Sequence, residues 1–136
     1  MNFRKWFTRR SRSGHDRRVI GRKGERLAAR FLRRSGYSLL HRNLRIGRDE
    51  ADLIMLDPDG ETIVIVEVKT RTGDFAAPEV NINREKRYRM ARLAARLLKQ
   101  RRYAHRPIRF DAIAIDWPES GEAQIRHYAG AFESPI

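Results

Sequence analysis

The sequence predicts an α/β fold, in which a mixed β-sheet is flanked by helices, and three observations support this prediction. Two segments carry apolar residues at helical spacing, and several others alternate apolar with polar residues as strands do. Their order along the chain is α-β-β-β-α-β, and no internal repeat or linker interrupts it. The length of 136 residues suits one compact domain. This order is typical of a sheet with helices packed on it.

The first helix is predicted from Gly21, where the stretch GRKGERLAARFLRRSGY begins. Its apolar face consists of Leu27, Ala28, Phe31 and Leu32. Gly36 follows as a C-terminal stop, because glycine readily adopts the left-handed conformation that ends many helices. The next stretch, YSLLHRN, forms a short strand-like connection into the sheet.

The two central strands are predicted to form an antiparallel hairpin. The segment EADLIML reads as a strand and ends at residues 57–60, whose sequence DPDG is a strong turn signal. The next strand is predicted to begin at Glu61 and contains the β-branched run IVIVEVKT. Because a short turn joins the two strands, we expect them to pair antiparallel.

The second helix and the last strands complete the predicted order. The stretch NREKRYRMARLAARLLKQRRY sets an apolar stripe against a dense basic remainder. The stripe consists of Met90, Leu93, Ala94, Leu97 and Leu98. The segment IRFDAIAID alternates as a strand, and EAQIRHYAGAF supplies a last strand at the edge of the sheet.

The composition predicts a polyanionic partner. Thirty Lys and Arg residues against 17 Asp and Glu residues give a net charge of +13. Nucleic acid is the first candidate, because its phosphates attract dispersed cations, whereas a membrane surface needs a basic amphipathic helix or a lipid anchor. A basic protein without such a partner is the alternative. The chain has no cysteine, which excludes disulfides, thiolate zinc sites and cysteine nucleophiles. With no apolar run of about 20 residues and no signal peptide, we expect a cytoplasmic protein that makes no membrane contact.

Residues 1–18 are predicted to form a flexible basic arm, and residues 19–136 a single folded domain whose function is considered below. The arm holds seven Arg or Lys residues and one Asp, with aromatic side chains interspersed. Arg4 and Lys5 are candidate nucleic-acid contacts within it. The alternative is a tail that only improves solubility.

One strand carries two charges where a buried sheet would be apolar. Period-two alternation places Glu67 and Lys69 on one face of their strand, after Ile63 and Ile65 on the same face. In an antiparallel hairpin the start of the preceding strand lies beside this end, so Asp52 is expected near both charged residues. Burying such charges without partners costs several kcal/mol. The presence of Asp52, Glu67 and Lys69 together in the sheet therefore needs a functional or structural explanation.

Two carboxylates and an amine at one sheet end are what a metal-dependent phosphodiester hydrolase requires. The carboxylates would bind Mg²⁺ or Mn²⁺ through oxygen ligands, and the lysine would orient the nucleophile or stabilise the charge on the phosphate. A further carboxylate, Glu25, lies on the first helix and could reach the same end. The alternatives are a structural ion pair for the strand residues, and an ordinary first-turn glutamate favoured by the helix dipole for Glu25.

Several pieces of the chain together resemble the YraN family of small bacterial proteins, which is similar to archaeal Holliday-junction resolvases. These pieces are GRKGERLAARFLRRSGYSLLHRNLR, DEADLIMLD, IVIVEVKTRTGDFAAPEVNINREKRYRMARLAARLL and IRFDAIAID. The resemblance implies a restriction-endonuclease-like, PD-(D/E)XK fold with the order predicted above. It also implies that Asp52 and Glu67 bind the metal and that Lys69 positions the attacking water. By the same resemblance, Glu25 binds the metal directly or through water.

The chain departs from this family in one stretch. Members usually show Arg-Gly-Glu-Ile-Asp before the apolar strand, whereas this chain has Arg-Asp-Glu-Ala-Asp at residues 48–52. The acids Glu50 and Asp52 are retained. The additional carboxylate of Asp49 is expected to weaken the approach of phosphate locally, and the loss of glycine alters the permitted turn geometry.

Other charged residues carry weaker predictions. Arg71, Lys86 and Arg48 are candidate nucleic-acid contacts, with a solvated strand end or surface turn as the alternative for the first two. Arg109 and Asp111 share a strand face and are predicted to form a structural ion pair.

The leading functional hypothesis is a Mg²⁺- or Mn²⁺-dependent endonuclease acting on DNA, with branched or damaged DNA as candidate substrates. A nucleic-acid-binding protein of the same fold that does not cleave is the second hypothesis, and a scaffold that binds RNA or protein through its basic face is the third. The resolvases that the chain resembles are dimers, so a homodimer is a candidate assembly. Only metal-dependent cleavage separates the first hypothesis from the second.

Overall fold

The computed structural model describes residues 14–73 and 80–136, with the backbone alone for residues 14–17. Its helices and strands are α1 (Gly14–Arg34), β1 (Ser38–Ile46), β2 (Asp49–Leu56), β3 (Ile63–Thr72), α2 (Arg84–Leu97), β4 (Ile108–Trp117) and β5 (Gln124–Phe132). A short 3₁₀ turn, Arg101–Tyr103, follows α2. The predicted core order α-β-β-β-α-β is confirmed, and the predicted edge strand follows it as β5.

The strands form one five-stranded mixed sheet in the order β1-β2-β3-β4-β5. All neighbours are antiparallel except β3 and β4, which are parallel because the chain crosses over through α2. The predicted hairpin of β2 and β3 is confirmed, with Leu56 opposite Ile63. Its turn is closed by Asp59, whose carboxylate accepts the backbone N–H groups of Glu61 and Thr62 at 2.8 and 2.9 Å.

The two helices cover opposite faces of the sheet. The core under α1 contains Ala28 and Leu32 of the predicted apolar face together with the β3 residues Val64 and Val66. The core under α2 contains the other β3 series, represented by Ile65. Its helical part consists of Met90, Ala91, Leu93, Ala94 and Leu97. The alternation of β3 thus divides its side chains between two cores, as its period predicts.

Two helix ends differ from their predicted limits: the start of the first helix, and the end of the second, which stops at Leu97 although the predicted stretch continues to Tyr103. The first helix begins at Gly14 rather than Gly21, so the last residues of the predicted basic arm are helical. Residues 14–18 carry no apolar side chain, and Val19 and Ile20 alone make no helical repeat, which is why the pattern missed this extension. The second helix begins as expected, and the side chain of Asn83 caps it by accepting the N–H of Lys86 at 2.8 Å. Neither helix, within the residues described, is long and apolar enough to cross a membrane.

Candidate active site

The candidate site lies where β2 and β3 separate. Backbone pairing between these strands extends from Leu56 opposite Ile63 to Leu53 opposite Val66. At the next position the carboxylate of Asp52, rather than a backbone carbonyl, accepts the N–H of Val68 at 2.8 Å. The side chain of Asp52 therefore fills the opening between the strands and satisfies a backbone donor that would otherwise be unpaired.

Glu67 is buried beside Asp52 and makes a hydrogen bond to its carboxyl group. Only 6% of Glu67 is exposed. Burial, the hydrogen bond to Asp52 and the charge of Asp52 together raise the pKa of Glu67 to about 8, against the opposing charges of Lys86 and Lys69. Asp52 and Glu67 are called the carboxylate pair below.

Two lysines flank Glu67. Lys69 Nζ lies 3.7 Å from one carboxyl oxygen of Glu67, and Lys86 Nζ lies 3.6 Å from the other. Both distances exceed those of hydrogen bonds, so the lysines contribute charge rather than a direct donor. The side chain of Lys69 is half exposed, whereas the side chain of Lys86 is 27% exposed. The predicted proximity of Asp52, Glu67 and Lys69 is confirmed by these contacts.

The sequence did not indicate that Lys86 lies at this site. Sequence reasoning treated it as a surface contact for nucleic acid, but its side chain points toward Glu67. Lys86 stands in the first turn of α2, directly after the Asn83 cap. The Asn-x-x-Lys spacing of the cap would have fixed where the helix starts, and so the side of the helix on which Lys86 lies.

Glu25 approaches the carboxylate pair from α1. Helix α1 lies close against β3 at Gly24, where a Cβ atom would collide with the hydroxyl of Thr70. Burial raises the pKa of Glu25, and the negative charge of Asp52 raises it further. The side-chain amide of Asn43 donates a hydrogen bond to Glu25 and opposes that shift. Asn43 has the positive φ of 47°, an uncommon conformation that the sequence did not predict.

Glu25 is nevertheless not grouped with the carboxylate pair. It lines a separate cavity of about 500 Å³ with Arg18, Gly21, Arg22, Asn43 and Glu50. Among the residues that the structure describes, no three Asp, Glu, His or Cys side chains are arranged to hold one metal ion. Glu25 as a metal ligand stays a prediction, and Asp52 and Glu67 are the oxygen donors that lie together.

Asp49 does not affect phosphate approach in the way the sequence suggested. Its side chain is fully buried and accepts two hydrogen bonds from Arg92, at 3.0 and 3.3 Å, while Arg96 lies at 3.5 Å. The hydrogen bond from Arg92 lowers the pKa of Asp49 despite burial. Because two guanidinium groups neutralise this carboxylate, the expectation that it weakens phosphate approach is wrong. Its role is to fasten the start of β2 to α2.

The remaining predicted contacts have different surroundings. Arg71 lies 3.4 Å from the carboxylate of Asp116 on β4. Arg48 lines a basic cleft against α2. Arg4 and Lys5 lie outside the described residues. The predicted ion pair of Arg109 and Asp111 is confirmed, with two hydrogen bonds of 2.8 Å.

The fold and the site define an α/β protein with a five-stranded mixed sheet and two adjacent carboxyl groups, one of them buried, where two of its strands separate. The sequence model of the Uncharacterised protein family UPF0102 matches residues 24–115, which is more than half of the chain and includes Glu25, Asp52, Glu67 and Lys86. The chain belongs to this family, which is the YraN family that its motifs resemble.

Individual relatives agree with this membership. The UPF0102 protein of Frankia casuarinae is 41% identical over 116 residues, covering 84% of this chain and 96% of that protein. The UPF0102 protein of Bordetella avium is 42% identical over 120 residues, covering 88% of this chain and 78% of that protein. A UPF0102 protein of Geobacter metallireducens is 40% identical over 116 residues, covering 84% and 92% of the two chains. These names establish the family and assign no activity.

Proposed function

We propose that this protein is a metal-dependent endonuclease that hydrolyses phosphodiester bonds in DNA. The observation that carries the proposal is the carboxylate pair itself. Asp52 and Glu67 lie side by side at the point where β2 and β3 separate. Both are acids, and Glu67 is buried. Such an arrangement is costly for stability alone, because neither acid supplies the other with a cationic donor.

The donor set fits a hard divalent cation. Two adjacent carboxyl groups offer oxygen ligands, and a bound cation would favour the ionised form of both. Asp52 and Glu67 would hold Mg²⁺ or Mn²⁺. When bound, such an ion supplies charge neutralisation and lowers the pKa of bound water. Nothing in the donor set favours one of these two ions over the other.

The two lysines have separate roles in this proposal. Lys69 is half exposed at the mouth of the site, where its ammonium group can contact a phosphate oxygen and stabilise negative charge that develops on it. Lys86 is more enclosed and lies against the other oxygen of Glu67, so it orients that carboxylate. The net charge of +13 favours a polyanionic substrate.

The second candidate is a nucleic-acid-binding protein of the same fold that does not cleave. One observation favours it: both oxygens of Glu67 already face a lysine, so the site contains positive charge without any added cation. In that case the cluster would be a structural ion pair, and DNA binding would depend on the basic surface alone.

The test is cleavage of duplex, single-stranded and branched DNA with Mg²⁺ or Mn²⁺ by the full chain. The variants are Glu67→Gln and Lys69→Ala, with Lys99→Ala as a charge-matched control on the exposed turn after α2. We expect metal-dependent cleavage that falls at least about 100-fold in both site variants and is unchanged in the control. Binding without cleavage by the wild type under all these conditions would instead support the second candidate.

A further inference from the structure

We propose that a cleft beside the carboxylate pair binds an unpaired DNA strand and stacks one of its bases on Tyr88. This arginine cleft has a volume of about 540 Å³ and is lined by Arg48, Arg84, Glu85, Tyr88, Arg89 and Arg92. This inference adds a substrate class, DNA with an unpaired strand, to the proposed function. It rests on that function only in taking DNA as the ligand. Nothing in the binding step requires cleavage.

The walls of the arginine cleft are fastened to each other. One wall is the tip of the β1–β2 hairpin with Arg48, and the other is the first half of α2. The buried carboxylate of Asp49 joins them through its hydrogen bonds with Arg92. Arg96 adds a second link by donating to the carbonyl of Ile46 at 3.0 Å. The cleft is therefore a formed feature of the fold, which lowers the cost of ordering it on binding.

The charges in the arginine cleft favour phosphate. Four arginines face one glutamate, Glu85, which lies 2.6 Å from Arg89. Within residues 14–73 and 80–136, Arg48 and Arg84 form no ion pair with a carboxylate. One of these arginines stands on each wall. Guanidinium groups bind phosphate oxygens through two parallel hydrogen bonds, so a strand in the cleft would have a phosphate partner on either side.

Tyr88 gives the arginine cleft a preference beyond charge. Its ring is partly exposed, and the guanidinium carbon of Arg84 lies 5.7 Å from the ring centroid. A tyrosine ring and a guanidinium plane are both surfaces on which a nucleobase stacks. In a duplex the bases are stacked inside the helix and cannot enter a cleft of this size. The cleft therefore favours a strand with unpaired bases.

The arginine cleft and the candidate active site share two elements, α2 and the β1–β2 hairpin. Arg84, Glu85 and Lys86 share the first turn of α2, and Lys86 lies 3.6 Å from Glu67. On the other wall, Arg48 directly precedes β2, the strand that carries Asp52. A strand that crosses Lys86 could therefore reach both the cleft and the carboxylate pair. DNA with an unpaired segment next to the bond to be cleaved is the substrate that this geometry suits.

The test measures binding of the full chain without metal, by fluorescence anisotropy in EDTA. The probes are a single strand of about 12 nucleotides, the matching duplex, and the same single strand carrying abasic residues. We expect Arg48→Ala with Arg84→Ala to weaken single-strand binding at least about tenfold. The control, Arg33→Ala with Arg34→Ala, removes the same charge from the exposed last turn of α1 and should weaken binding less than about threefold.

Tyr88→Leu tests the stacking step. Single-strand affinity should fall about tenfold, while affinity for the abasic strand and for the duplex should stay within about twofold, because neither presents a free base. Tyr88→Phe keeps the ring and should bind like the wild type, which separates stacking from misfolding. Equal losses in both arginine pairs, an unchanged affinity in Tyr88→Leu, or tighter binding of the duplex by the wild type would each overturn the proposal.

The outcome is separable from the proposed nuclease activity. If the cleft variants lose single-strand binding while neither the wild type nor any variant cleaves DNA, the binding role of the cleft is supported and the nuclease activity is contradicted. If the wild type cleaves DNA and the cleft variants bind and cleave normally, the nuclease activity is supported and the binding role of the cleft is contradicted.

Discussion

Two clusters of charged side chains lie on neighbouring strands of the same sheet, and they differ in what surrounds the buried acid of each. One is the carboxylate pair on β2 and β3. In the other, Asp111 on β4, which pairs with Val66 next to Glu67, is joined by Arg109, His127, Asp57 and Tyr37, which are called the Asp111 cluster here. Asp111 is fully buried and Glu67 is 6% exposed. Burial is therefore nearly equal in the two places, and it cannot explain why their pKa values move in opposite directions.

Asp111 is surrounded by donors. Arg109 donates twice at 2.8 Å, the ring of His127 donates at 2.7 Å, and the N–H of Gly130 donates at 3.0 Å. Burial raises the pKa of Asp111, but these hydrogen bonds outweigh it and hold the value at about 2. Glu67 instead faces another acid, with its lysines beyond hydrogen-bond distance, and its pKa is about 8. A buried acid with all its donors supplied is structural, and one without them is available to a ligand.

The largest effect predicted by this comparison is on the Asp111 cluster. Asp111→Ala should lower the free energy of unfolding by about 3–5 kcal/mol, because it leaves Arg109 and His127 without the carboxylate between them. Urea denaturation measures this loss. Glu119→Ala, which removes an exposed acid, should change it by less than about 0.5 kcal/mol. A loss below about 1 kcal/mol in Asp111→Ala would contradict the structural role.

The next effect is on acid stability. The pKa of Asp111 is lowered from 3.8 to about 2 in the folded protein, so its ionised form stabilises the fold above pH 3.8. This contribution, about 2 kcal/mol, is lost as the pH falls toward 2. Unfolding free energies measured from neutral pH downward should therefore decline more steeply for the wild type than for Asp111→Ala in that range. Parallel curves for the two proteins would show that Asp111 titrates normally.

A smaller predicted effect, stabilisation by a bound cation, tests the carboxylate pair. Mn²⁺ at about ten times its dissociation constant should stabilise the wild type by about 1.4 kcal/mol, since a ligand bound only by the folded state adds RT ln(1 + [L]/Kd). The rise in the midpoint of thermal unfolding measures this. Glu67→Gln should show no rise, while Glu61→Gln, an exposed control on the turn before β3, should respond like the wild type. Equal shifts in all three would place the cation elsewhere.

The sequence predicts the partners within the hairpin better than those brought together across layers. Asp52 and Glu67 could be placed side by side because strand alternation and a short turn fix their register. The hydrogen bond from Val68 to Asp52 could not, because it exists only where the strands separate. The burial of Asp49 likewise depends on how α2 docks on the hairpin, which brings Arg92 to it from a distant part of the chain. Neither contact produces a pattern among neighbouring residues of the sequence from which it could be predicted.

The smallest predicted effect concerns the shortest ion pair in the described part of the chain, Arg89 with Glu85 at 2.6 Å. Both side chains are exposed, so water competes for them, and Glu85→Ala should change the free energy of unfolding by less than about 0.5 kcal/mol. The same variant removes the one acid of the arginine cleft and should strengthen single-strand binding in EDTA. A large loss of stability would show that distance, rather than burial and donor supply, decides what an ion pair contributes in this fold.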